Sequence, residues 1–313
     1  MNSTHSSLSL PLKDNIDFVS NIETWEDCKS FYSNLKPGKY IFRGLSSSNY
    51  DLESTFDRAC KKNNIESTEE TPKWKYEAVM LFNFMRIAHQ YVKASNLPPK
   101  KDNLEWLSLL RHYGAPSRLM DFTYSFYIAA YFAIEGADIN DKNDSAIIWV
   151  IDFEWLSNEA RNLVDELCKA NNIKDRIFKD KIFQDPKLFN KIVINYQDPI
   201  DFVIPINPFR YNRRIHLQQG IFLLPCNIEN TFEQNLVSVP GINKKRIMKI
   251  KLKKDQKKNI IEDLNQMNIS LKALFGDLEG VARSLNDFFC MDYRLSTKEE
   301  LLYYVLGLDY HTH

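Results

Sequence analysis

Ala146-Ile147-Ile148-Trp149-Val150-Ile151-Asp152 is the stretch on which the fold turns. It is apolar and rich in β-branched residues up to its closing aspartate, which is the pattern of a central strand. Upstream, Lys39-Tyr40-Ile41-Phe42-Arg43-Gly44 follows the Pro37-Gly38 break and has strand character up to its glycine. Downstream, Asp201–Ile206, Arg214–Leu224 and Arg246–Leu252 are three further strand candidates. Residues 155–196 lie between and read as two or three helices, broken near Asp185-Pro186. Strands on both sides of a helical insert argue for one α+β domain, with a mixed, mainly antiparallel sheet flanked by many helices.

The other helices follow from period and punctuation. Residues 15–35 carry helix signals around Trp25, Cys28 and Tyr32, whereas residues 45–71 are polar and mixed. From Pro72, Trp74, Ala78, Leu81, Phe82, Met85, Ala88, His89 and Val92 stack at helical spacing, with Pro98-Pro99 beyond the end. His89 reads as a core or rim histidine. A helix over Glu105–Tyr113 stops at Gly114, and a second, apolar on most sides, runs from about Thr123 to Glu135. The tail reads as helices over Asp255–Met267, Leu271–Phe275, Leu278–Phe289 and Thr297–Leu306. Ser296 and Glu299 form a capping box for the last of these. The expected organisation is a loose Ser-rich tail over 1–14, a main domain over 15–293, and a helix with tail over 294–313.

Composition narrows the partners. The 313 residues carry a formal net charge of zero, so overall charge draws the chain to neither nucleic acid nor acidic membrane. The densely basic run Lys244–Lys258 alternates basic with apolar residues and reads as a solvated face, with nucleic-acid or phosphate contact the less favoured option. The five cysteines are spread without a C-x-x-C pair, which gives a zinc site or redox dithiol no support and suits a reduced cytoplasmic compartment. No apolar run is long enough to span a membrane, and residues 1–14 lack the features of a signal peptide.

Chemistry concentrates in three places. Arg43 ends a strand beside a glycine, where a ligand can approach the backbone and a guanidinium can clamp phosphate or carboxylate; a structural ion pair is the alternative. Leu109–Thr123 sets Arg111, His112, Tyr113, Arg118 and Asp121 around a Gly-x-Pro corner between two helices. There Arg111 and His112 suit a helix C-terminus, Arg118 and Asp121 a local ion pair, and Asp121 or Thr123 a cap for the next helix. His112 and Tyr113 together also offer a stacking and hydrogen-bonding surface. As an extended strand, Arg214–Leu224 would place Arg214, His216, Gln218 and Gly220 on one wet face bordering a cleft, or a plain solvent-exposed sheet face.

These blocks together resemble the FRG domain family. The resemblance rests on Tyr40–Gly44, on the His-Tyr-Gly-x-Pro-Ser-Arg-Leu-x-Asp core of Leu110–Asp121, on the Arg-x-x-x-Gln-x-Gly-x-Phe spacing of Arg214–Phe222, and on Ile269–Arg283. It spans about residues 25–290 and implies a bacterial module whose layout is similar to ADP-ribosyltransferase-like folds. By that likeness Arg43, His112 and Gln218 are the catalytic candidates, and Arg43, His112, Tyr113, Arg214 and Gln218 the binding candidates. NAD is the implied co-substrate, with no metal. The implied setting is a toxin or phage-defence effector acting on an unknown macromolecular acceptor. Gln218 departs from the carboxylate that many such transferases place on a late strand, so it offers hydrogen bonds without charge. Two other readings stand beside this one: a non-catalytic module binding a nucleotide-like anion, and a metal-assisted phosphodiester hydrolase using Asp121 with His112.

Overall fold

Every residue of Ala146–Asp152 is buried in a strand, because it lies inside a sheet with helices on both faces. The computed structural model describes residues 16–19, 22–170, 197–207 and 213–289, with isolated positions between 186 and 194. Among these, the strands are β1 (Asp17–Phe18), β2 (Tyr40–Leu45), β3 (Met120–Thr123), β4 (Ala146–Asp152), β5 (Val203–Ile206), β6 (Gly220–Pro225) and β7 (Ile247–Leu252). They form one sheet of order β1-β7-β4-β2-β3-β6-β5. All neighbours pair antiparallel except β1 with β7. The α+β expectation, with its mainly antiparallel sheet, is met.

The first helices are α1 (Trp25–Ser33), α2 (Thr55–Lys62), α3 (Lys73–Ala88), α4 (Asn103–His112), α5 (Phe126–Glu135) and α6 (Phe153–Ala170). They are followed by α7 (Arg213–Leu217), α8 (Phe232–Val237), α9 (Lys257–Gln266), α10 (Leu271–Phe275) and α11 (Leu278–Ser284). Strand alternation divides them into two layers. Ile147, Trp149 and Ile151 of β4 join one apolar cluster with α3, α4, α6 and α8. Ala146, Ile148 and Val150 join the other with α1, α5, α9 and α10. Each such side chain removed from water contributes about 1.5–3 kcal/mol, so β4 ties both cores together.

Several expectations change. The short strand β1 lies at the start of the 15–35 stretch read as helical, and α2 lies within the stretch read as mixed. The Ser54–Asp57 capping box that starts α2 was legible in the sequence. The corner between α4 and α5 contains a strand, β3, held by non-local pairing to β6. Helix α5 therefore starts at Phe126 and is capped by Ser125, not by Asp121 or Thr123. Arg214–Leu224 is not one strand: Gln218 N–H donates to the Arg214 carbonyl as in a helix, Gln219 turns the chain at φ 47°, and β6 begins at Gly220.

His89 is exposed at the end of α3, not in a core or rim, and so is Phe82. The tail over 1–14, the break at Asp185-Pro186, most of 171–196 and the Thr297–Leu306 helix with its capping box lie outside the described residues. No helix among the described residues is long and apolar enough to cross a membrane. The basic run is largely tied into the fold. Lys254 is buried against Asp144, Arg246 pairs with Asp152, Lys253 with Glu23, and Lys257 donates to the Glu135 and Ala137 carbonyls.

Candidate functional site

The cleft opens where two strands part. Only Phe42 and Thr123 are in register between β2 and β3. One residue further on, the Arg43 side chain reaches across and its Nη1 donates to the Asp121 carbonyl at 2.5 Å. A cavity of about 440 Å³ lies there, in the size range of small-molecule sites. Six elements besides the two strands wall it: the α4 C-terminus with Arg111 and His112, α5 with Ala129 and Phe132, α7 with Arg214 and Ile215, β6 with Phe222, α10 with Phe275, and α11 with Glu279 and Arg283. Gln218 lines it from the turn before β6.

Gly44 has a different role from the one its sequence position suggested. A Cβ there would lie 2.0 Å from the Ala129 carbonyl oxygen and 2.5 Å from the Ala133 nitrogen. The missing side chain admits helix α5, not a ligand. That close contact sets the α5 wall of the cleft against β2.

Arg43 is the enclosed cation of the site. Burial pushes its pKa down to about 10; the Asp121 charge opposes this, and Arg111 and Arg58 add repulsion. It is still charged at neutral pH. Its Nε is buried and, among the described residues, has no hydrogen-bond partner. Arg111 lies closer to the Asp121 carboxylate, donating to Oδ2 through Nε at 2.8 Å and again through Nη2, while Nη1 donates to Thr55 Oγ1 at 3.1 Å. Asp121 is thus engaged by Arg111, and the expected Arg118–Asp121 pair does not form. Arg118 turns inward to Glu77, and both side chains are fully buried.

His112 ends α4 as the sequence suggested. Its Nδ1 is buried and finds no partner among the described residues. Burial lowers its pKa, helped by the nearby Arg214 charge and opposed by Asp277 and Glu279. Tyr113 meets the His112 ring edge-on at 4.9 Å, but it is exposed and is not among the cavity's lining residues.

Arg214 and Gln218 stay on one face, although the strand that was to place them there is absent. Four residues apart on a helical turn they are neighbours, just as they would be along a strand. His216 falls off that face and is exposed. Arg214 donates to Asp277 at 2.8 Å and Glu279 at 2.7 Å and lies over the Phe275 ring. Burial works against its charge, but these two carboxylates hold its pKa above the ordinary arginine value. Among the described residues Gln218 Nε2 makes only a long contact, 3.4 Å, to the Leu274 carbonyl, and its backbone carbonyl accepts from Thr123 Oγ1 at 2.7 Å.

Arg43, His112, Arg214 and Gln218 therefore line one cavity, and Tyr113 stands outside it. Glu279, Arg283 and Phe275 were not singled out from the sequence. Glu279 and Arg283 are four residues apart in the Ile269–Arg283 block, and Arg283 also lies over the Phe275 ring. With Arg43, Arg111, Arg214 and Arg283 against Asp121 and Glu279, the lining carries an excess of two positive charges, apart from His112.

Residues 38–142 match the family model of the FRG domain. The chain carries an FRG domain. The matched stretch holds Arg43, Arg111, His112 and Asp121, and it ends before Arg214, Gln218 and Glu279. No curated protein and no solved structure matches the chain.

Proposed function

We propose that this cleft binds a nucleotide-like anion, with NAD as the favoured co-substrate, and that the protein is an ADP-ribosyltransferase-like enzyme acting on a macromolecule. One observation carries the reading: two buried nitrogens without partners among the described residues, Arg43 Nε and His112 Nδ1, belong to residues that line one positively charged, aromatic-walled cavity. A buried polar atom left unmatched costs about 1–3 kcal/mol, and such atoms collect where a ligand completes them.

The roles follow from what each group has left to give. Arg43 offers a free Nε–H to phosphate, while Arg111 is held by Asp121. Gln218 keeps its side-chain oxygen for a ribose hydroxyl. Glu279 supplies the carboxylate that Gln218 lacks, and negative charge near the anomeric carbon would stabilise an oxocarbenium-like transition state. Arg214 grips Glu279 and sets its position. The toxin or defence setting implied by the family resemblance is part of the same proposal.

A non-catalytic module binding the same anion is the second reading, because the Arg214 pair offsets the charge of Glu279. Purified protein with labelled NAD separates the two. Nicotinamide release or label transfer that is lost in Glu279→Gln supports the enzyme. NAD binding with no turnover on any acceptor leaves the module, and absence of binding sinks both.

A further inference from the structure

A second cavity, about 570 Å³, adjoins the first and shares Arg43, Gly44 and Phe132 with it. Its other walls come from the loop after β2, with Asn49 and Tyr50, and from α2, with Arg58 and Lys61. Lys61 is matched by Asp51 and Glu53. Arg58 is exposed and donates only to the Glu53 backbone carbonyl, and among the described residues no carboxylate pairs with it. Tyr50 presents an exposed ring on the same side.

Arg43 stands on the divide. Arg58 and Arg111 both act on it as like charges, and the one carboxylate of the group, Asp121, is taken by Arg111. With Lys61 set against Asp51 and Glu53 on the same wall, four cations face three carboxylates, a local excess of one positive charge centred on Arg43 and Arg58. A pyrophosphate has the charge to sit there, and it would join a nucleoside in each cavity.

We infer that the site is two-chambered and takes a pyrophosphate-linked dinucleotide lengthwise, its phosphates at Arg43 and Arg58 and its second nucleoside beside Tyr50. This rests on the nucleotide-binding reading above and adds the ligand's extent. Arg43 Nε, a buried donor with no partner among the described residues, is the group left to meet the crossing phosphates, and Tyr50 supplies an aromatic surface for the second base.

Calorimetric titration of the full chain with NAD, AMP and nicotinamide mononucleotide tests it, using Arg58→Ala and Gln218→Ala. Arg58 and Gln218 line different chambers. Arg58→Ala is expected to weaken NAD about tenfold or more, the worth of one charge-assisted hydrogen bond, and Gln218→Ala about two- to tenfold, the worth of a neutral one. One mononucleotide should lose affinity with Arg58→Ala alone, and the other with Gln218→Ala alone. If both mononucleotides respond to Arg58→Ala, its effect is general electrostatics and the two-chamber inference falls. It falls equally if NAD ignores Arg58→Ala. If wild-type protein binds none of the three, the nucleotide reading itself has failed.

Discussion

Arg43 and His112 line the same cavity from different elements, one on strand β2 and one at the end of α4, and neither Arg43 Nε nor His112 Nδ1 has a hydrogen-bond partner among the described residues. Each backbone is fixed by the fold. Arg43 pairs with Trp149 of β4, and α4 is buried along Leu104, Trp106, Leu107 and Leu110. The geometry is therefore set before any ligand arrives, so little ordering entropy is left to oppose binding.

Removing the Arg43 donor should be costly for binding and mild for folding. Arg43→Lys keeps a charge but loses the planar fork, including the bond to the Asp121 carbonyl. A hydrogen bond to a charged group is worth about 1.5–3 kcal/mol, so NAD affinity should fall roughly 10- to 100-fold. Isothermal titration of Arg43→Lys and Arg43→Ala checks this, with thermal melts as the folding control. Unchanged affinity in both variants would remove Arg43 from the site.

Arg118 and Glu77 present the opposite case: both side chains are saturated and buried, far from any role in binding. Arg118 also donates to the Pro225 and Cys226 carbonyls. Glu77→Gln or Arg118→Ala leaves an uncompensated buried charge and should destabilise by about 3–5 kcal/mol. The double variant Glu77→Leu with Arg118→Met should recover much of that loss. Urea unfolding of the three proteins measures it, and equal stability of single and double variants would contradict the account.

What could be read in advance depended on how local its cause is. β4 was legible because a strand buried on both faces is apolar throughout, and α4 because Gly114 ends it at φ 82°. β3 was not, because four residues carry too little pattern and their strand state comes from pairing with β6 about a hundred positions later. Arg214 and Gln218 were correctly grouped through an incorrect element, since a spacing of four serves both periods. The partner of Asp121 was misassigned to the sequence neighbour Arg118, when the helix turn directs Arg111 to it instead. Glu279 was missed because nothing local distinguishes a surface glutamate from one that tertiary packing brings to a cleft.

Gly44 should tolerate no side chain. Gly44→Ala places a Cβ against backbone atoms of Ala129 and Ala133, which cannot rotate away as a flexible side chain could. Helix α5 must then shift from β2. Overpacking of this kind costs about 1–3 kcal/mol, and here a backbone clash puts it at the upper end. Thermal melts of Gly44→Ala and of Gly38→Ala make the comparison, since a Cβ at Gly38 meets nothing nearby and its cost is confined to its positive φ. A Gly44→Ala protein no less stable than Gly38→Ala would refute the close-approach role.

The lowered pKa of His112 gives the site a pH signature whose sign is fixed. Burial and the Arg214 charge favour the neutral ring, so the folded value lies below the ordinary 6.5. Above 6.5 the ring is neutral in folded and unfolded chains, and His112 adds no pH dependence. Below it the unfolded chain takes up a proton that the folded chain refuses, so stability falls as pH falls until the folded pKa is passed. His112→Asn should flatten that slope in denaturant titrations between pH 7 and 5. A bound phosphate beside the ring works the other way, favouring the imidazolium and raising its pKa. NMR titration of the His112 ring should therefore show a midpoint below 6.5 without ligand and a higher one with NAD. A midpoint that does not move with saturating NAD would place the bound phosphates away from His112.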